Sequence, residues 1–222
     1  MVYIEQPPEV LSVVKLTEND AEKVIQFLFQ DFLFNEPLNI AIGINREEAE
    51  PLFRDMVNFC LSERVSYAMQ NKLHEIVGVR LSGILKRPDG QENHPPLPEY
   101  GNWKANAIFK FVNHVESKVW ELIPNDWDTV MSIAIVSVRS DYGNRGIARK
   151  LLDYGLREAK SLGCQGIITE ATAFKSQQLF TKKLGYKSLY EIPHSQWLNE
   201  DGNRIFRCND GTDRAVLACR PL

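Results

Sequence analysis

One junction constrains the fold of this chain more than any other, because there an apolar strand passes through a glycine turn directly into an amphipathic helix. Val130 to Val138 is apolar and β-branched, the pattern of a buried strand. Beyond Arg139-Ser140-Asp141-Tyr142-Gly143-Asn144-Arg145-Gly146-Ile147, the residues Ala148, Leu151, Leu152, Gly155, Leu156, Ala159 and Leu162 recur at helical spacing and predict one long helix ended by Gly163. Strand, glycine turn and helix in this order suit a pyrophosphate cradle. Glycines let backbone N–H groups approach an anion, and a helix start adds unpaired donors and about half a positive charge. The segment has neither G-x-x-x-x-G-K-[ST] nor G-x-G-x-x-G, which excludes a P-loop and a dinucleotide fingerprint. An ordinary strand-to-helix turn is the competing reading, so the other segments decide.

Ser12 to Leu16 reads as a first strand, and Thr17-Glu18-Asn19-Asp20 as the capped, acidic start of a helix with Ala21, Val24, Ile25, Leu28 and Phe32 inward. That helix should stop near Asn35, since the residue before Pro37 is pushed out of the helical region. A second helix is expected from Arg46 to Leu61. Strands Val65 to Gln70 and Glu75 to Leu85 flank a turn at Asn71-Lys72. Residues 87–101 hold four prolines and Asp89-Gly90, a loop within a single domain of residues 1–222. A helix Lys104 to Glu121, the strand and helix already described, a strand Gly166 to Thr172, a short helix Ser176 to Lys183, and strands Leu189 to Ile192 and Arg214 to Cys219 complete an α/β order with a mixed sheet.

Composition narrows the partners. Of 222 residues, 44% are hydrophobic and 25% charged, with a formal charge of −3, which supplies no general field for nucleic acid. Cys60, Cys164, Cys208 and Cys219 form no C-x-x-C pair and read as reduced thiols. Met1, Glu5, Pro7, Pro8 and Glu9 make neither a basic end nor an apolar leader, and no run approaches the ~20 apolar residues of a membrane span. A cytoplasmic protein is the expectation. His74, His94, His114 and His194 lack zinc spacing, so no metal is expected.

The turn resembles the acetyl-CoA motif of the GNAT N-acetyltransferases, Q/R-x-x-G-x-G/A, with Gly146 and Ala148 matching; Gly143 stands where Arg or Gln is usual and Asn144 where Gly is common. Phe32-Leu33-Phe34-Asn35-Glu36-Pro37-Leu38 resembles the F-x-x-x-E-P-L segment of insect and nematode arylalkylamine N-acetyltransferases, and Leu184-Gly185-Tyr186 stands at the family's L-G-F. The resemblance extends over nearly the whole chain. It implies a GNAT fold in which the strands Met131 to Val138 and Ile167 to Thr172 splay into a V-shaped cleft. It further implies acetyl-CoA as co-substrate and a small primary amine as partner, such as dopamine, serotonin, octopamine, tyramine or tryptamine. A polyamine or other small amine, a longer acyl donor, and a non-catalytic acyl-CoA-binding protein remain as alternatives.

By the same resemblance Glu36 is the general base, against the plainer reading of a helix-end carboxylate. An alkylammonium with a pKa of about 10 must lose a proton before its nitrogen attacks a thioester. Ile135, Val136 and Val138 on the splayed strand, with Gly143, Asn144, Arg145, Gly146, Ile147 and Ala148, are the expected acetyl-CoA contacts, together with Phe174, Phe180 and Lys183. The tyrosine acid of many GNAT enzymes is replaced by Thr181, which leaves Ser176, then Thr172, as candidates to protonate the leaving thiolate. CoA thiol, with a pKa of about 8.5 if it resembles Cys, can also leave unaided. Phe32 and Phe34 could line an aryl pocket. Glu170 is an alternative base or a solvent-facing charge, and Arg149, Lys175 and Lys183 are phosphate partners or ordinary surface charges.

Overall fold

The computed structural model describes residues 9–89 and 97–222. The reading of residues 1–8 as leaderless, and much of the proline-rich 87–101 loop, therefore lie outside the described residues. Seven described strands, β1 (Ser12–Lys15), β2 (Tyr67–Gln70), β3 (Ile76–Lys86), β4 (Thr129–Val138), β5 (Gly166–Ala171), β6 (Lys187–Pro193) and β7 (Arg214–Pro221), form one sheet in the order β1-β2-β3-β4-β5-β7-β6. Neighbours are antiparallel except β4 and β5. Consecutive residues of the central strands enter different cores. Val130, Ile168 and Leu217 join one cluster, whereas Met131, Ile167 and Val216 join the other. Both faces are covered, which is why these strands read as continuous apolar runs.

On the first face lie α1 (Ala21–Phe27), a π-helical turn (Leu28–Phe32), α2 (Leu33–Asn35), α3 (Pro37–Ile42), α4 (Arg46–Ser62), α5 (Trp103–Glu116) and α6 (Val119–Leu122). On the other lie α7 (Ile147–Asp153), α8 (Leu156–Ser161) and α9 (Phe174–Gln177) with a second π-helical turn (Gln178–Lys183). No described helix is long and apolar enough to cross a membrane.

The splayed strands are present. β4 and β5 pair only from Val130↔Gly166 to Ile133↔Thr169. Past that point β4 stays with β3 across a register shift that skips Ala134, while β5 stays with β7 through Glu170↔Leu217 and Ala171↔Val216. A bulge adds twist and bends its strand away, here leaving two facing edges unpaired. At the fork Thr169 Oγ1 donates to Ile133 O at 3.0 Å, satisfying a carbonyl as the ladder ends.

Several elements differ from the sequence expectation. The first helix runs through a π turn, so Phe27, Phe29 and Leu33 are buried in addition to the expected Val24, Ile25 and Leu28. Glu36 leaves the helix as expected, with φ −82° and ψ 125°, but the short helix α3 follows at once with Pro37 in its first turn. The helix expected over Lys104 to Glu121 is interrupted at Ser117-Lys118.

The single long helix after the cradle is in fact broken at Tyr154-Gly155. Gly155 sits at φ +71°, and a Cβ there would lie 2.6 Å from the Tyr67 ring. Into the break reaches Arg80, a fully buried guanidinium from β3, donating to Leu151 O (3.0 Å), Tyr154 O (2.6 Å) and, across the fold, Val65 O (2.8 Å). The carbonyls released by the break are thus satisfied by one charged side chain. Arg80→Met should lower the unfolding free energy by about 3 kcal/mol, since three buried acceptors lose a donor. Urea denaturation reads this directly, and an unchanged midpoint would show that the carbonyls find other partners.

Candidate active site

The cradle follows β4 through a short 3-10 turn, Ser140–Tyr142. Asn144 (φ +60°) and Gly146 (φ +73°) occupy the left-handed region and turn successive amides toward one side, the geometry of an anion-binding nest. Among the described residues, the amides of Asn144, Arg145, Gly146, Ile147 and Ala148 donate to no acceptor. These donors fit a pyrophosphate. The Ile147 side chain is buried with Tyr67, Met69, Val77, Tyr142 and Leu151, so it anchors the turn and only its backbone faces the cradle. Tyr142 lies between two guanidinium groups, Arg139 and Arg145, at 4.7 and 4.6 Å from its ring. Arg145 also donates to Asp141 O (3.1 Å), and Arg149 pairs with Asp153 (3.6 Å).

The cradle is tied to the opposite wall. Asp31 Oδ1, on the π turn, accepts from Ser140 N (3.2 Å) and Ser140 Oγ (2.8 Å), and Asn35 Nδ2 donates to Asp31 O (2.9 Å) and Ser140 Oγ (3.3 Å). The same helix delivers Glu36. Its Oε2 accepts from Asn39 N at 2.7 Å, capping α3, and its Oε1 accepts from Thr172 Oγ1 at 3.0 Å. Thr172 directly follows β5, so this bond spans from the α2–α3 junction to the end of the splayed strand. Glu36 is only 8% exposed. Burial raises its proton affinity from the ordinary 4.5 to about 7, opposed by the hydrogen bonds from Asn39, Leu38 and Thr172 and reinforced by the charge of Asp210.

The remaining sequence candidates separate. Ile135 is buried, and Val136 and Val138 are half-buried on the β4 arm of the fork. Ser176 is occupied locally, donating to Ala173 O (2.8 Å) and accepting from Ala173 N (3.3 Å), whereas Thr172 meets Glu36. Phe180, expected to touch the cofactor, is a core residue, 1% exposed and edge-on to Tyr186 at 5.0 Å; the π turn rotates it inward. Phe174, Lys175 and Lys183 are exposed. Phe32 is half-buried against Phe53, while Phe34 is 65% exposed. Glu170 faces the interior beside Glu116, its Oε1 buried without a partner, and burial with that second carboxyl raises its proton affinity.

Sequence reasoning missed the segment Arg204 to Asp213. Cys208 Sγ reaches Pro37 O at 3.5 Å and His194 Nδ1 at 3.8 Å, and buried Thr212 Oγ1 accepts from Phe174 N at 2.9 Å. His194 is fully buried, and desolvation lowers its proton affinity to about 4. No local motif marks this segment, since its role comes from contacts with residues far away in the chain.

A seven-stranded sheet forked between β4 and β5, with a nest of amides at the head of α7, frames the candidate site. Residues 117–186 match the acetyltransferase (GNAT) family. The chain is similar to the arylalkylamine N-acetyltransferase 2 of Aedes aegypti, at 26% identity and a TM-score of 0.83, over 95% of this chain and 98% of that one. It shares the fold of a Drosophila melanogaster polyamine N-acetyltransferase that catalyses formation of N-acetylagmatine (15%, TM-score 0.79, 96% and 100% covered). The C-terminal condensation domain of Ebony, solved with β-alanyl-dopamine, has the same fold (19%, TM-score 0.76, 96% and 100%). The mixed seven-stranded sheet flanked by helices matches the GNAT fold of these neighbours.

The buried carboxyl makes stability depend on pH. Because folded Glu36 holds its proton up to about pH 7 and the unfolded chain only to about 4.5, the native state is favoured below this window and loses stability as pH rises through it. The loss is about 3 kcal/mol at roughly 1.4 kcal/mol per pH unit. Urea unfolding at pH 4.5 and pH 8 should show Glu36→Gln gaining that amount relative to wild type. An equal difference at both pH values would remove the shift.

Proposed function

We propose that the chain transfers the acetyl group of acetyl-CoA to a primary amine, with an arylalkylamine as the favoured acceptor and Glu36 as general base. The observation that carries this is the buried Glu36 carboxyl, bonded across the cleft by Thr172 and given a proton affinity near neutrality. A base poised there can take a proton from an ammonium and return it to solvent between turnovers. The N–H bond breaks toward Glu36, and the freed lone pair makes the nitrogen a nucleophile.

The other residues hold and exclude. The amides of Asn144 to Ala148 bind the pyrophosphate, and the β4 edge at Ile135 and Val136 receives the pantetheine arm and the acetyl carbonyl. Acetyl-CoA supplies the activated acyl group. Thr172 orients the base and, with no tyrosine at Thr181, the thiol leaves as thiolate. An aromatic acceptor is supported by Phe32 beside Glu36, packed on Phe53, which in turn stacks on Phe29, and by the near full-length likeness to an arylalkylamine enzyme at 26% identity.

Release of free CoA thiol from acetyl-CoA, measured across tryptamine, dopamine, octopamine, spermidine, agmatine and a lysine peptide, tests the reading. Selective release with the aryl amines is expected. Release with spermidine or agmatine alone would replace the acceptor, and acetyl-CoA binding without release from any amine would make the chain a binding protein. Glu36→Gln should lower kcat/KM by about 10²–10⁴-fold at neutral pH and leave acetyl-CoA affinity unchanged.

A further inference from the structure

The segment before β7 approaches Glu36 from two sides. Cys208 is held at Pro37 O, next to Glu36 in the chain, and Thr212 is held at Phe174 N, two residues beyond the Glu36 partner Thr172. Asp210 stands midway between these two anchors. Its carboxylate is oriented by Thr212, accepting from Thr212 N at 3.1 Å and from Thr212 Oγ1 at 2.9 Å. Asp210 itself is exposed, and no described cation forms an ion pair with it. Its charge nevertheless reaches Glu36, Cys208 and His194.

We propose that Asp210, on the segment anchored beside Glu36, docks the ammonium group of the acceptor as a substrate-binding residue distinct from the base. The inference rests on the amine-acetylating reading above. A primary amine arrives as a cation, and Glu36, half protonated near neutrality, is an incomplete counter-ion for it. Asp210 supplies a fixed negative charge in a rigid, solvent-accessible position. Acetylation turns the ammonium into a neutral amide, so the same carboxylate holds substrate and not product.

The charge of Asp210 acts on KM rather than on kcat. When the ammonium gives its proton to Glu36, the proton moves between two neighbours of Asp210, and the electrostatic contributions to donor and acceptor largely cancel. Binding has no such cancellation. Other groups around Glu36 do not compete for this role. The Cys208 thiol is pushed up to about 11, chiefly by burial, and is neutral; His194 is held neutral; and the amide of Asn39 and the hydroxyl of Thr172 carry no charge. Arg204, which acts on Cys208 and His194, is a cation and cannot dock another.

Steady-state kinetics of Asp210→Asn test the proposal, with Asp210→Glu as rescue. The expected result is an amine KM raised about tenfold, the size of one lost charge-assisted contact, with kcat and the acetyl-CoA KM within twofold of wild type. The acid limb of kcat/KM should also move to lower pH, because Glu36 loses a negative neighbour, and Asp210→Glu should restore both readouts. An unchanged amine KM and acid limb in an active enzyme would overturn the role of Asp210 alone. A rise in acetyl-CoA KM together with a fall in kcat would reassign Asp210 to structure. Wild-type protein that acetylates no amine would overturn the acetyl-transfer reading and this inference together.

Discussion

The parting of β4 from β5 after Ile133 and Thr169 is the constraint on which the rest of the molecule depends. A continuous sheet satisfies its backbone groups by pairing, and two central strands that separate leave donors and acceptors facing each other across a gap. The bulge at Ala134 bends β4 toward β3, β7 holds β5, and the Thr169 hydroxyl closes the last carbonyl at the fork. Everything assigned to binding or chemistry lies beyond that point. The cradle is the continuation of one arm, and Thr172 follows the end of the other.

A fork of this kind needs its arms held in place from outside the sheet. The helix through Asp31 and Asn35 does so on the cradle side by bonding both the amide and the hydroxyl of Ser140, and Glu36 does so on the other side through Thr172. A single stretch of six residues therefore spans the cleft. The π turn makes this geometry possible, since an added residue within the helix turns Asp31 toward Ser140 while Phe29 and Leu33 remain in the core. The left-handed positions at Asn144 and Gly146 then aim the amides that the segment after Ser140 presents.

Electrostatics follows from burial in the same region. Glu36 is stabilised as a carboxylate by backbone amides and by Thr172, yet its loss of water outweighs them and sets its proton affinity near neutrality. Asp210 is the charged neighbour that acts on it, whereas His194 and Cys208 are both held uncharged by desolvation. Glu170 and Glu116 show the same effect, burial and their mutual proximity raising the proton affinity of the pair.

Much of the architecture was legible in the chain itself, because its signals are local. The β-branched run to Val138, the glycines after it, and the Glu36-Pro37 step define a strand, a cradle and a helix exit from steric rules that act within a few residues. The succession of strands and helices along the chain followed from their apolar patterns, and the facing of Val130 and Met131 into separate cores accounts for runs apolar on both sides. What the tertiary structure alone decided are the features that depend on distant partners: the break at Tyr154-Gly155 stitched by Arg80, the inward turn of Phe180, the bond between Thr172 and Glu36, and the Cys208 to Thr212 segment beside them. The amino-acid order by itself determined which backbone conformations were available. Burial and long-range hydrogen bonds then selected among them, because the desolvation that gives a carboxyl like Glu36 its chemistry exists only once residues far apart in the chain enclose it.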